Sequence, residues 1–521
     1  MRSASNSTLN IKLNTKLNTK WWKLVVLLAF LLVGCSSRTH TRSPQIVSQF
    51  LAPFSSAKSD AEQKLKGELA NAAAANGSRA NIPPLAPLAS RGYLTTPQEL
   101  AEIRQKADDG VEPYATAMQI VLQAADRKWE YELDEQQTCK GADRPAWLDE
   151  GKGIPRLYAR ALAYHLTEDT RYAQEVKTIL QRIMTEVVQV DLDEQQCRLN
   201  FGWGTPELVA AADLIEAYWA EDTCTGPTGT LYSDVSIGSG NCKELFQNWL
   251  VKNPYYVVSF TAEDAMGNWG AAATNTLAYI ADYLWDRPEL EIIHRMPYGS
   301  GSDSYFELSL HPRDAYIHAN QIMFDRMNGY GVDLHSSSSC DYLDGSQQDD
   351  RWAPVKSQIT ENGIIPEDAR REEKCNIPEY DGSYQNYPQV HLGNNIQQCE
   401  LMWRRGDSSC YDNVATDDLP NYVFSGTGGV EHTTHLYPGR GSIERAIKAI
   451  IVDADTEWKH DSALAVAIRY YYEHHTLSGF GQWRSHVERL EDCDQDICFG
   501  ALTHGLAADE VPAPPPLAPP P

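Results

Sequence analysis

Gly267-Asn268-Trp269-Gly270-Ala271-Ala272-Ala273-Thr274-Asn275-Thr276-Leu277-Ala278-Tyr279-Ile280-Ala281-Asp282-Tyr283-Leu284 is the stretch on which the fold turns. Trp269, Ala272, Ala273, Thr276, Ile280 and Leu284 recur at three- and four-residue steps, which predicts an amphipathic helix with one apolar face. Asn268 and Trp269 stand between two glycines at its start, a pattern that suggests close approach of backbone or ligand.

The same helical periodicity runs outward in both directions. Thr96-Pro97-Gln98-Glu99 reads as an N-cap followed by proline and a first-turn acid. Helical patterns then cover Tyr114–Lys128, Pro155–Leu166, Thr170–Val188, Pro206–Trp219 and Lys243–Val251. Beyond the opening stretch they continue over Arg313–Met327, Pro388–Arg404, Ile443–Asp453, Asp461–His474 and Gly481–Arg489. No sustained period-two alternation is evident, so an all-α fold is expected. Long helices in pairs, joined by short turns, predict an (α/α) toroid, an incomplete α/α barrel whose inner helices line a cleft. The segment Tyr330–Tyr387 breaks the pattern and reads as a long functional loop.

The ends carry different signals. Residues 1–35 read as a lipoprotein signal peptide, with Arg2, Lys12, Lys16, Lys20 and Lys23 preceding the apolar run Leu24–Val33, which is too short to span a bilayer. Leu32-Val33-Gly34-Cys35 resembles a bacterial lipobox, and this implies lipidation at Cys35 and a membrane tether. Ser36 suits sorting within a Gram-negative envelope, to the outer membrane or facing the periplasm. Residues 36–91 read as a flexible tether, 92–505 as the toroid and 506–521 as a proline-rich disordered tail.

Eleven cysteines less Cys35 leave an even number in an exported chain, which favours disulfides. Pairing of neighbours would give Cys139–Cys197, Cys224–Cys242, Cys340–Cys375, Cys399–Cys410 and Cys493–Cys498; spacing alone does not fix the connectivity. The net charge of -26 argues against nucleic acid as a partner. It also means that a site for any anionic polymer must concentrate arginine locally.

Three groups of residues could carry chemistry. Asn268 is a neutral donor at a helix start, beside Trp269. On the Arg313 helix, Arg313, Tyr316 and Asn320 share a face, while His318 points about 140° away. Tyr387 and His391 lie one turn apart near another helix start, where the helix dipole disfavours an imidazolium. Trp203, Trp269 and Tyr384 are candidate sugar platforms.

Asn268-Trp269-Gly270 resembles the Asn-(His/Trp) helix of the alginate lyase family. Glu307-Leu308, Arg313 and Tyr316 are similar to that family's Glu-Leu…Arg…Tyr-His helix. Gln389-Val-His391-Leu-Gly393, Glu400-Leu-Met-Trp403-Arg-Arg-Gly406-Asp407 and Tyr411-Asp412-Asn413 resemble the Gln-x-His-x-x-Leu-Gly…Glu…Trp-x-x-Gly-x-Asp…Tyr segment of the broader alginate-lyase-like group. The resemblance spans roughly Arg91 to His475 and departs at two positions. Trp269 stands where the family has His, and Asn320 where it has Tyr.

The resemblance implies a polysaccharide lyase acting on uronic-acid glycans, of alginate or glucuronan type, by β-elimination. Asn268 and Arg313 would neutralise the uronate carboxylate, His391 would act as base, and Tyr316 or Tyr387 as acid, with His318 in reserve. A toroidal glycoside hydrolase using Glu263, Asp264 or Asp381 is an alternative, as is a non-catalytic glycan-binding lipoprotein. His311, His318, His391, His432 and His435 form no complete ligand set by spacing, so no cofactor and no catalytic metal is expected; a structural ion stays open. A monomer is expected.

Overall fold

The computed structural model describes residues 92–130, 133, 153–187, 195–226, 239–265, 267–297, 305–327, 387–412, 443, 447, 461–474 and 498–507. Cys35, Tyr384, Asp381, His432, His435, both termini and most of the long loop lie outside them.

The helices are α1 (Pro97–Asp108), α2 (Tyr114–Asp126), α3 (Ile154–Thr167), α4 (Thr170–Glu186), α5 (Gln195–Leu214), α6 (Glu216–Trp219), α7 (Cys242–Leu250), α8 (Tyr256–Asp264), α9 (Gly267–Tyr283), α10 (Pro312–Met327), α11 (Tyr387–Arg404), α12 (Ser409–Asp412), α13 (Asp461–His474) and α14 (Gly500–Thr503). Most begin and end within a residue or two of where periodicity places them. The expected cap on α1 is a full capping box: Glu99 N–H donates to Thr96 Oγ1 (3.1 Å), and Thr96 N–H to Glu99 Oε2 (2.7 Å).

The ring is traced by which helix packs on which. α2 packs on α3, α3 on α5, α5 on α9, α9 on α11, α11 on α13, α13 on α14, and α14 returns to α2. This circuit is the all-α toroid, and α4, α8, α10 and α12 pack on its members.

Within this circuit α9 is buried over its whole length except Trp269. The expected single apolar face is therefore a correction: α5, α8, α10 and α11 cover the helix on all sides. Its polar residues tie these neighbours to it. Asn275 Nδ2 donates to Gln397 Oε1 on α11, and Asp282 takes both Nε (2.7 Å) and Nη2 (2.6 Å) of Arg405.

α5 begins eleven residues before the expected start at Pro206, which lies inside the helix. Proline has no N–H to give the Gly202 carbonyl one turn earlier. The Thr276 hydroxyl of α9 donates to that carbonyl instead, at 2.7 Å. A side chain at Gly202 would have its Cβ 3.1 Å from Ala272 Cβ, so glycine sets the close approach of α5 and α9.

At the end of α11, Gly406 takes φ +88°. Asp407 N–H donates to Met402 O (2.9 Å) and Gly406 N–H to Trp403 O (2.8 Å). This is a Schellman stop, as the glycine suggests.

Among the described residues, two antiparallel hairpins depart from the expectation of no strands. β1 (Thr223–Thr225) pairs with β2 (Ser239–Asn241) beside the Cys224–Cys242 disulfide. β3 (Ile292–Pro297) pairs with β4 (Tyr305–Leu310), with His294 opposite Leu308 and Arg295 opposite Glu307. Phe306, Leu308 and Leu310 are buried while Tyr305, Glu307 and Ser309 face outward, a period-two pattern too short to stand out among helices. Cys399–Cys410 is the second described disulfide, and Cys197 and Cys498 are also bonded.

Candidate active site

The amino-terminal halves of α5, α9 and α11 meet at one end of the ring. There Leu199, Trp203, Ala272 and Val390 form a small apolar cluster separate from the main core, and Trp269 packs against it. Asn268 and His391 are buried beside these residues in sequence, and Tyr387 is 40% exposed at the start of α11. Asn268, Trp203, Trp269, Tyr387 and His391 thus belong to one end of the molecule.

Arg313 and Tyr316 do not join them, which corrects the expected grouping. Arg313 is exposed at the start of α10. Tyr316 packs edge-on to Trp285, with ring centroids 5.7 Å apart, just past the carboxyl end of α9. Asn268 is the second residue of that helix, and the rise from it to Tyr283 at the other end is about 22 Å at 1.5 Å per residue. Asn320, on the same face, accepts from Gln398 Nε2 at 2.8 Å, so its role is in helix packing.

Next to Leu199, Arg198 turns the other way, with its guanidinium carbon 5.0 Å from the centroid of Phe260 on α8. Arg295, from β3, reaches the same ring at 5.5 Å and also lies over Tyr256 (4.7 Å) and Tyr305 (5.2 Å). Its Nε donates to Tyr256 O (2.7 Å) and its Nη2 to Val257 O (2.6 Å), which fixes the fork. Burial first, then the Arg198 charge, pull the Arg295 guanidinium down to about 10, still cationic at neutral pH.

The two tyrosine hydroxyls are 3.2 Å apart, and Tyr256 O–H donates to Glu307 Oε1 at 2.9 Å. Burial, followed by Tyr305 and Glu307, pushes the Tyr256 phenol well above its ordinary value. It is protonated at neutral pH and not a phenolate.

On the same helix, Glu263 accepts from two histidines. Its Oε1 lies 3.0 Å from His294 Nε2 and 2.5 Å from His318 Nε2. Tyr255 OH is 3.1 Å from the other nitrogen of His294. Burial favours the neutral acid at Glu263, but the charge on His318 and the two histidine hydrogen bonds outweigh it and hold the carboxyl well below the usual range. Burial lowers His294.

These three residues form the one His/Cys/Asp/Glu group among the described residues able to hold a metal ion. Of the histidines noted in sequence only His318 takes part; His311 contacts Leu290 O at 3.4 Å. Glu263 is committed to histidines, and this does not suit the free paired carboxylates of a hydrolase.

Sequence reasoning missed Arg198, Arg295, His294, Tyr256 and Tyr305. The signals were there in Pro254, which interrupts the helical register, and in the alternation of Tyr305–Leu310. Pro254 lies in a π-helical turn, Val251–Tyr255, which re-aims Tyr255 and the face of α8 that follows.

No family model matches the sequence, and no curated protein matches it. Among solved structures, the chain is similar to the crystal structure of an alginate lyase from Bacteroides ovatus. The TM-score is 0.43 and the identity 12%, covering 80% of this chain and 100% of that chain. Likeness at that level fixes neither activity nor substrate.

Proposed function

We propose that the chain is a polysaccharide lyase that cleaves uronic-acid glycans by β-elimination. The observation that carries this reading is the Arg198–Arg295 pair. An otherwise strongly acidic chain, of net charge -26, brings two guanidiniums over a single phenylalanine ring beside two tyrosine hydroxyls. With the Arg295 fork held by the Tyr256 and Val257 carbonyls, the pair acts as fixed positive charge, which favours a carboxylate, and aromatic faces recognise sugar rings.

Removal of the C5 proton places negative charge on the adjacent carboxylate. Arg198 and Arg295 supply fixed positive charge for it, with Asn268 as a neutral donor. His391 takes the C5 proton, the C4–O4 bond breaks with its electron pair going to oxygen, and a C4–C5 double bond forms. The Tyr256–Tyr305 pair then protonates O4. Trp203, Trp269 and Tyr387 flank the path of the chain. The lipobox-like Cys35 supports an envelope-tethered enzyme meeting its polymer outside the inner membrane.

The test is ultraviolet absorbance from the unsaturated product when the protein digests alginate or glucuronan. The expected result is a rise for the native protein and a loss of at least about tenfold in kcat/KM for Arg198→Ala, since one charge-assisted contact is worth more than 1.4 kcal/mol. Reducing ends without absorbance would indicate hydrolysis, and retention without cleavage would indicate a binding protein.

A further inference from the structure

The reaction as written does not use Glu263, His294 and His318. We infer that these three residues form a binding site for a divalent transition-metal ion of the zinc class, which ties α8, β3 and α10 together. One ligand comes from each of those elements, and the three ligand atoms all lie within 4.8 Å of one another. The imidazole rings meet edge to face with centroids 5.0 Å apart, and both present Nε2 to the same carboxylate oxygen. In a tetrahedral zinc site, bonds of 2.0–2.1 Å put ligand atoms about 3.3 Å apart. Small side-chain rotations away from the direct Glu263 contacts open that space.

The donor set decides the class of ion. Two imidazoles and one carboxylate suit zinc and its neighbours, whereas magnesium and calcium need oxygen ligands throughout. An outer support is also present. Tyr255 OH sits 3.1 Å from His294 Nδ1, and can take that N–H so that the Nε2 lone pair faces the ion. Glu263 and Asp264 occupy the last turn of α8, the negative end of its dipole, where a cation is favoured. The histidine side chains are buried and Glu263 is 14% exposed, so a fourth position opens on the carboxylate side.

The inference is independent of lyase activity and is tested without it. The purified protein is stripped with a chelator, its folding is checked by circular dichroism, and it is titrated calorimetrically with zinc and with magnesium. Thermal unfolding is followed in parallel. The expected result is one zinc per chain, no comparable magnesium binding and a higher Tm with zinc. Glu263→Gln and His318→Gln should each weaken binding by more than tenfold. Tyr255→Phe, which leaves all three ligands in place, should weaken it by about ten- to a hundredfold. No zinc uptake by the native protein would overturn the site and leave a hydrogen-bonded triad. Zinc uptake unchanged in Glu263→Gln and Tyr255→Phe would place the ion elsewhere and also overturn it.

Discussion

Arg405 and Asp213 are two charges drawn inward with opposite results. Arg405 is matched by a bidentate aspartate and by Gly92 O at 2.9 Å, so its burial is compensated. Asp213, on α5, is pushed up to about 7 by burial and by Glu216, against an opposing pull from Arg405. The folded state therefore holds this proton more tightly than the unfolded chain does. Its favourable contribution is full below the ordinary aspartate range and is lost as pH rises to about 7. Asp213→Asn should accordingly raise Tm at pH values above about 7, with the advantage vanishing near the ordinary aspartate range. A pH series of thermal melts checks this; an advantage independent of pH would contradict it. Single residues were the least legible scale in sequence. Asn268 and Arg313 looked like partners because a motif joined them, but the length of α9 separates their neighbourhoods. Arg198 and Arg295 carry no motif, and only folding brings them to Phe260.

Element by element, the chain was far more readable. Caps, glycine stops and a 3.6-residue period mark the start of α1 and the spans of α9, α11 and α13 nearly to the residue, because those signals are local. The failures have local causes too. A proline that normally starts a helix lies within α5, since Thr276 reaches across from α9 to the carbonyl that Pro206 cannot serve. Thr276→Val keeps the volume but leaves that buried carbonyl short of a donor, and should cost about 1–3 kcal/mol in chemical denaturation. In a Pro206→Ala background the restored N–H can serve the carbonyl, so the cost should shrink markedly. Additive effects in this double-mutant cycle would contradict the exchange of donors. The β3–β4 hairpin was missed because each strand has only six residues, too few for the alternation of β4 to stand out among the longer helical patterns.

For the whole molecule, the toroid could be anticipated from paired helices, but its closure could not. Closure depends on α14, a single turn, whose Gly500 admits no side chain because a Cβ would lie 2.1 Å from Ser462 O on α13. It depends also on Tyr114 O–H donating to Gly505 O at 2.5 Å, across 391 residues of sequence. Such contacts leave no periodic trace. The ring gathers the helix starts of α5, α9 and α11 at one end, and Arg198 of α5 joins Arg295 over Phe260. β-Elimination is the reaction proposed for this chain, and the fate of solvent oxygen tests it most directly. Digestion of a purified uronan in heavy-oxygen water, with mass analysis of the products, should show chain cleavage with an unsaturated terminal ring and no heavy oxygen incorporated at the broken bond. Cleavage with one heavy oxygen incorporated per break and no unsaturation would contradict it.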